Sequence, residues 1–69
     1  MKIYLCVTIA QEIDGKNTMI RIDKASLKKE TVESFIANNK IVWAEKMPVA
    51  GGLVEFACER HPQEVEVEE

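Results

Sequence analysis

Two residues in the stretch "FACERHP", Phe56 to Pro62, have the chemistry of a reactive or metal-binding site. Cys58 offers a thiolate, and His61, the one histidine of the chain, offers an imidazole three positions on. Cys-x-x-His is half of a zinc ligand set, because a structural zinc takes four protein ligands and a catalytic one three. Cys6 is the one further thiol. A thiol nucleophile would instead need His61 as its base, with Glu59 or Glu64 orienting the ring. Both ideas meet a geometric obstacle. Three residues of extended strand span about 10 Å, beyond hydrogen-bond reach. Strand alternation also puts Cys58 beside Val54 and Phe56, the expected core side, and Cys6 on the side away from Leu5 and Val7. The thiols are then expected on different faces, which argues against a disulfide and against a shared metal. The plainer reading makes Cys58 a small buried hydrophobe and His61 an exposed residue at a strand end. On that reading the chain needs no cofactor and no metal, and it is not an enzyme.

The elements that position these residues must come from a short chain. Its 69 residues make one domain. A domain this small buries only about 60% of the surface of its unfolded chain, so a staple or a partner chain is the usual supplement. Two cysteines are too few for a disulfide scaffold. The apolar fraction of 46% is that of a globular protein. The opening "MKIYLCVTIA" has a short apolar run, but it gives way to Gln11, Glu12 and Asp14 with no small-residue cleavage site. Leu5 occupies the place before Cys6 where a lipoprotein signal needs a small residue. No stretch is long enough to span a membrane. The expectation is a cytoplasmic protein with reduced thiols.

Charge is unevenly placed within a net of −3. Residues 1–58 carry eight basic and seven acidic side chains, whereas residues 59–69 carry Arg60 against five glutamates. A near-neutral body argues against nucleic acid as the main partner. The expected division is an α+β domain over 1–60 and an acidic C-terminal tail over 61–69.

Asp14-Gly15 is a favoured pair for a two-residue hairpin turn with positive φ. Such a turn sets Ile9 opposite Ile20, Val7 opposite Ile22, Ala10 opposite Met19, Thr8 opposite Arg21 and Cys6 opposite Asp23. A four-residue loop keeps the same parity. Strands are expected at about 2–11 and 18–23, with their aliphatic residues on one face. "DKASLKKETVESFIANNK" reads as a helix with Ser26 as N-cap. Its stripe is Val32, Phe35, Ile36 and Asn39, and Asn38-Asn39 tolerates a left-handed C-cap. "KIVWAEKM" is a third strand, "PVAGG" a loop, and "LVEFACE" a fourth strand ended by Pro62. "QEVEVEE" is expected to fray, with Val65 and Val67 able to form a brief edge strand. The fold class is therefore α+β, ββαββ: a four-stranded, mainly antiparallel sheet with one helix on one face. That helix is expected on the aliphatic face of the hairpin.

A helix on one face leaves the other open. By parity Tyr4, Cys6, Met19, Leu53 and Ala57 are expected there, more apolar than a monomer's open face should be. Trp43, between Val42 and Ala44, has two readings: a core plug under the helix, or an interface anchor, a role in which Trp is enriched. Lys24, Lys28 and Lys29, with Arg21, form the one basic cluster, and no aromatic is interleaved among them to stack bases. The glycines of "AGG" lack the Gly-Lys-Ser/Thr of a phosphate loop and suit a turn.

In size and layout the chain resembles the small accessory proteins of bacteriophages and prophages. The residues that carry the likeness are the opening strand, the hairpin, the "KKETVESFIANN" helix and the closing "LVEFACER" strand. That resemblance implies a non-catalytic protein that binds or inhibits a host protein. The expected partners are a protein, itself as a homodimer, or both. Trp43, Tyr4, Met19 and Leu53 are the candidate contacts, with Glu64 and Glu66 of the tail meeting a basic surface. The alternatives are a nucleic-acid-associated protein using the Lys24, Lys28 and Lys29 patch, and a metal or thiol site at Cys58 and His61.

Overall fold

The alternating opening run folds as a strand, Lys2–Glu12 (β1), and returns as Thr18–Ser26 (β2). The structure is a computed structural model and describes residues 1–68. The hairpin register agrees with the sequence reading where the aliphatic residues meet: Ile9 faces Ile20 and Val7 faces Ile22. The turn differs. The Glu12 amide donates to the Asn17 carbonyl at 2.9 Å, which leaves a four-residue loop. Among the described residues positive φ occurs only at Gly51 and Gly52, so Asp14-Gly15 forms no mirror-image turn. A Cβ at Gly15 would meet only the Glu12 carboxylate, the end of a flexible side chain that can swing aside.

A second departure lies at Asp23. Cys6 pairs with Lys24 rather than Asp23, because the register slips by one residue between Cys6 and Val7. Asp23 is the extra residue of a β-bulge. Beyond it the helix is shorter than its sequence pattern, Lys29–Ala37 (α1). Ser26 does not cap it; it lies two residues before the N-cap position, Lys28, and its hydroxyl accepts the Lys28 amide at 3.0 Å. At the other end Asn38 has φ −96°, not left-handed. Both asparagines instead use their side-chain amides to satisfy helix carbonyls. Asn38 donates to the Ser34 carbonyl at 2.9 Å, beside its own backbone amide, and Asn39 to the Phe35 carbonyl at 2.7 Å, replacing a partner lost when the Asn39 amide turns to Ile36.

The last two strands are Val42–Val49 (β3) and Gly52–Glu66 (β4), joined at Ala50-Gly51, where Gly51 has φ +99°. The element order is β-β-α-β-β, and the four strands form one antiparallel sheet in the order β2-β1-β4-β3. Pro62 does not end β4. It pairs with Cys6, and the strand continues until Glu66 faces Lys2. The reason is local. The Arg60 amide points towards β3 and donates to the Ile41 carbonyl at 2.9 Å. Two residues on, position 62 points the same way, but β3 has already ended. A proline there forfeits no ladder bond. The expected acidic tail is thus a strand as far as residue 66, with Glu64 at 3.7 Å from Lys2 and Glu66 at 3.2 Å from the N-terminal amine. Residue 69 of that stretch lies outside the described residues.

The pairing of β1 with β4 decides which face is covered. Ala10 meets Cys58, and Cys6 meets Pro62, so even-numbered residues of both strands share a face. That face holds the buried set: Cys6, Thr8, Ala10, Phe56 and Cys58, with Val32 of α1 above them. The helix packs over β1, β2 and β4. Trp43, Met47, Val49 and Val54 close the β3 end around Ala10, Phe56 and Cys58. The expectation that the helix sits on Ile3, Leu5, Val7 and Ile9 is therefore corrected. A core containing Phe56 and Cys58 is incompatible, in this register, with a core containing Val7 and Ile9. Cys6 is buried, not exposed, and both free thiols lie on the same face, four residues apart in register.

Candidate functional site: the uncovered face of the sheet

The odd-numbered residues of β1 form the spine of the open face. Ile3, Leu5, Val7 and Ile9 are only half-buried, shielded by their neighbours rather than by any second layer. On one flank stand Ile20 and Ile22 of β2, 71% and 60% exposed. On the other flank β4 contributes Val65, Gln63, His61, Glu59 and Ala57, each set opposite a β1 residue. Val42 at the far strand is 65% exposed and Leu53, at the β3–β4 turn, 70%. The polar content is concentrated on β4, where Gln63, His61 and Glu59 stand opposite Leu5, Val7 and Ile9. His61 Nε2 lies 3.1 Å from a Glu59 carboxylate oxygen, and these two share a shallow dent with Ile9, Gln11 and Ala57. Each fully buried aliphatic side chain is worth about 1.5–3 kcal/mol relative to exposure. The monomer leaves much of that unused.

The covered face is built the other way, around a polar pin. The bulge at residue 23 points the Asp23 carboxylate under the helix, where its side chain is 11% exposed. It accepts the Thr8 hydroxyl and, at 2.6 Å, Arg21 Nε. Arg60 Nε stands 3.4 Å away, within ion-pair range but outside hydrogen-bond geometry. Burial pushes the Asp23 carboxyl up, but the hydrogen bonds from Thr8 and Arg21 and the two arginine charges outweigh it. The net result is an acid stronger than an ordinary aspartate. Arg60 donates through Nη1 to the Lys40 carbonyl. Its guanidinium lies 4.1 Å from the Trp43 ring centre and 5.6 Å from that of Phe35. Arg60 therefore ties the last strand to the helix and to the segment after it, with its charge spread over two aromatic faces.

The sequence-derived site residues divide between these faces. Trp43 is half-buried on the covered side, its indole N–H donating to Glu45 at 2.9 Å. Tyr4 lines a hollow beside the helix with Lys29, Val32 and Glu64. Met19 pairs with Ala10, so it too belongs to the covered side, at its edge, 38% exposed. Leu53 alone of the four lies on the open face. Glu64 and Glu66 are paired to Lys2 and the chain start. Lys24, Lys28 and Lys29 are exposed, while Arg21 is committed to Asp23.

Cys58 and His61 are separated more completely than their spacing suggests. Cys58 is fully buried on the covered face and His61 is half-exposed on the other. They share no space for a metal ion or a proton. Burial first, and then the nearby Glu45 carboxylate, push the Cys58 thiol up; burial and then Asp23 do the same for Cys6. Both are held as thiols, the unreactive form. The sequence pattern implies an open face and puts Leu53 and Ala57 on it, but it assigns the wrong side of the first hairpin to that face. The unbroken alternation of Ile3, Leu5, Val7 and Ile9 is read there as core.

No described helix is long and apolar enough to cross a membrane. Compared with known protein families, curated proteins and solved structures, the chain matches none.

Proposed function

We propose that this chain is a non-catalytic protein-interaction module and that the uncovered face of the sheet is its contact surface. The observation that carries this reading is an inversion. The sheet turns its more polar face inward, with Thr8, Asp23 and Arg60, and leaves its aliphatic face to solvent. Isolated apolar side chains on a surface are ordinary; a contiguous aliphatic sheet face marks a binding surface. The separation of Cys58 from His61 and the high pKa of both thiols favour binding over chemistry. The likeness to phage accessory proteins supports the same class of role.

The test is site-specific photo-crosslinking in cells expressing the protein. A photoreactive side chain at position 22, on the open face, is expected to give covalent adducts with polypeptide. The same group at Glu30, on the outer side of the helix, is expected to give none. Equal labelling at both positions, or none at 22, rejects the reading.

A further inference from the structure

We infer that the occupant of the open face is a second copy of this chain, stacked sheet on sheet; this rests on the interaction-face reading above. The first argument is shape. The chain measures 43 × 27 × 14 Å and its radius of gyration is 14.0 Å, against about 11 Å for a compact domain of this length. The helix and the sheet make two layers around one core, and the broad outer side of the sheet carries no third layer.

The second argument is area. The exposed surface is 5084 Å², where a compact monomer of 7.8 kDa has about 4,400 Å². The excess, about 700 Å², is close to the ~800 Å² that each partner buries in a standard-sized protein interface. The broad side of the slab, 43 × 27 Å, is large enough to supply it.

The third argument is charge. Leu5, Val7, Ile9, Ile20 and Ile22 make a patch with no charged or hydrogen-bonding side chain. It can meet its own image across a two-fold axis without opposing like charges, the condition an isologous contact imposes. The polar residues of the same face, Lys46, Glu55, Glu59, His61 and Gln63, lie on β3 and β4, and of these Glu59, His61 and Gln63 border the patch opposite Ile9, Val7 and Leu5. Homodimer interfaces are more apolar than those between different proteins, and this patch is aliphatic throughout. Branched aliphatics in alternate positions are what two sheets need to interdigitate at about 10 Å. The dimer is a four-layer stack: helix, sheet, sheet, helix.

Sedimentation equilibrium of the full chain, from about 1 to 100 µM, tests this. The wild type is expected at twice the chain mass. Ile22→Lys places a charge in the patch and is expected to weaken self-association by on the order of 100-fold or more, giving a one-chain mass with an unchanged far-ultraviolet spectrum. Ile20→Lys, at a more exposed position, serves if the first variant does not fold. A one-chain mass for wild type throughout overturns the second copy. So does a two-chain mass that persists in both variants. In the monomer case, anilinonaphthalene sulfonate separates the two levels. Dye bound by wild type and lost in Ile22→Lys leaves the contact face standing with another occupant. Absence of dye binding removes the contact face as well.

Discussion

The two faces of this sheet share four strands and almost nothing else. One is covered by a helix and contains a carboxylate, two arginines, a buried threonine and two thiols. The other is aliphatic along its central strand and has no cover. Ordinary partition of residues would exchange them. The difference teaches that a face is chosen by the register of the whole sheet and not by its own hydrophobicity. Once Phe56 and Trp43 are committed to one side, antiparallel pairing at Ala10–Cys58 carries Cys6 and Thr8 there too. The isoleucines and valines follow to the other side whatever the cost of exposing them.

Substitutions sharpen that contrast. The largest expected effect is Phe56→Ala on the covered face, where a fully buried aromatic has no space to collapse into. A loss of about 3–5 kcal/mol is expected in urea unfolding. Ile20→Ala on the open face is expected to cost the single chain less than about 0.5 kcal/mol, measured below the concentration at which chains associate. Comparable losses at the two positions would erase the distinction between faces.

Asp23→Asn comes next, at about 2 kcal/mol, because Arg60 and Arg21 lose a charged partner in a largely buried site. It also changes the response to acid. The Asp23 carboxyl titrates below the ordinary aspartate range in the folded chain. Its contribution is therefore complete above the unfolded value, near pH 4, and is lost as the pH falls through the lower folded value. Thermal midpoints measured from pH 5 down to pH 2 are expected to decline more steeply in wild type than in Asp23→Asn. Parallel declines would remove Asp23 from the account. Thr8→Val is expected to cost somewhat less, about 1.5 kcal/mol for one hydrogen bond to a carboxylate. A stabilising result would mean that the covered face tolerates a fully apolar floor.

Much of this architecture is legible in the sequence, and the illegible part has a definite cause. The Ile9–Ile20 and Val7–Ile22 pairs follow from a short loop between alternating runs. The Val32, Phe35 and Ile36 stripe follows from helical period, and the inward side of Phe56 and Cys58 from strand parity. Each is local. Parity says which residues share a face within one strand; it does not say how two hairpins are phased against each other. That phase is set between β1 and β4, some fifty residues apart in sequence, and it placed Cys6 inside and Val7 outside. The bulge was hidden for a similar reason, since Asp23 turns inward to meet Thr8 and the distant Arg60. Of the candidate contacts, Leu53 was placed on the open face from β4 alone. Tyr4 and Met19 were assigned through the wrong hairpin phase. Trp43 is closer to its core reading, packed on Ala10, Phe56 and Cys58.

Pro62 has a consequence beyond the length of β4. A sheet with free borders is a template on which further chains can grow into fibrils. The outer half of β4 is such a border, and the proline strikes out one donor from its row. Glu64 and Glu66 follow at the two positions whose backbone groups point the same way, so an incoming strand would meet missing hydrogen bonds and repeated negative charge. At the opposite border the bulge at Asp23 and the neighbouring Lys24 interrupt β2 in the same manner. These two stretches of border are poor templates for an incoming strand, while the aliphatic side of the sheet stays uncovered.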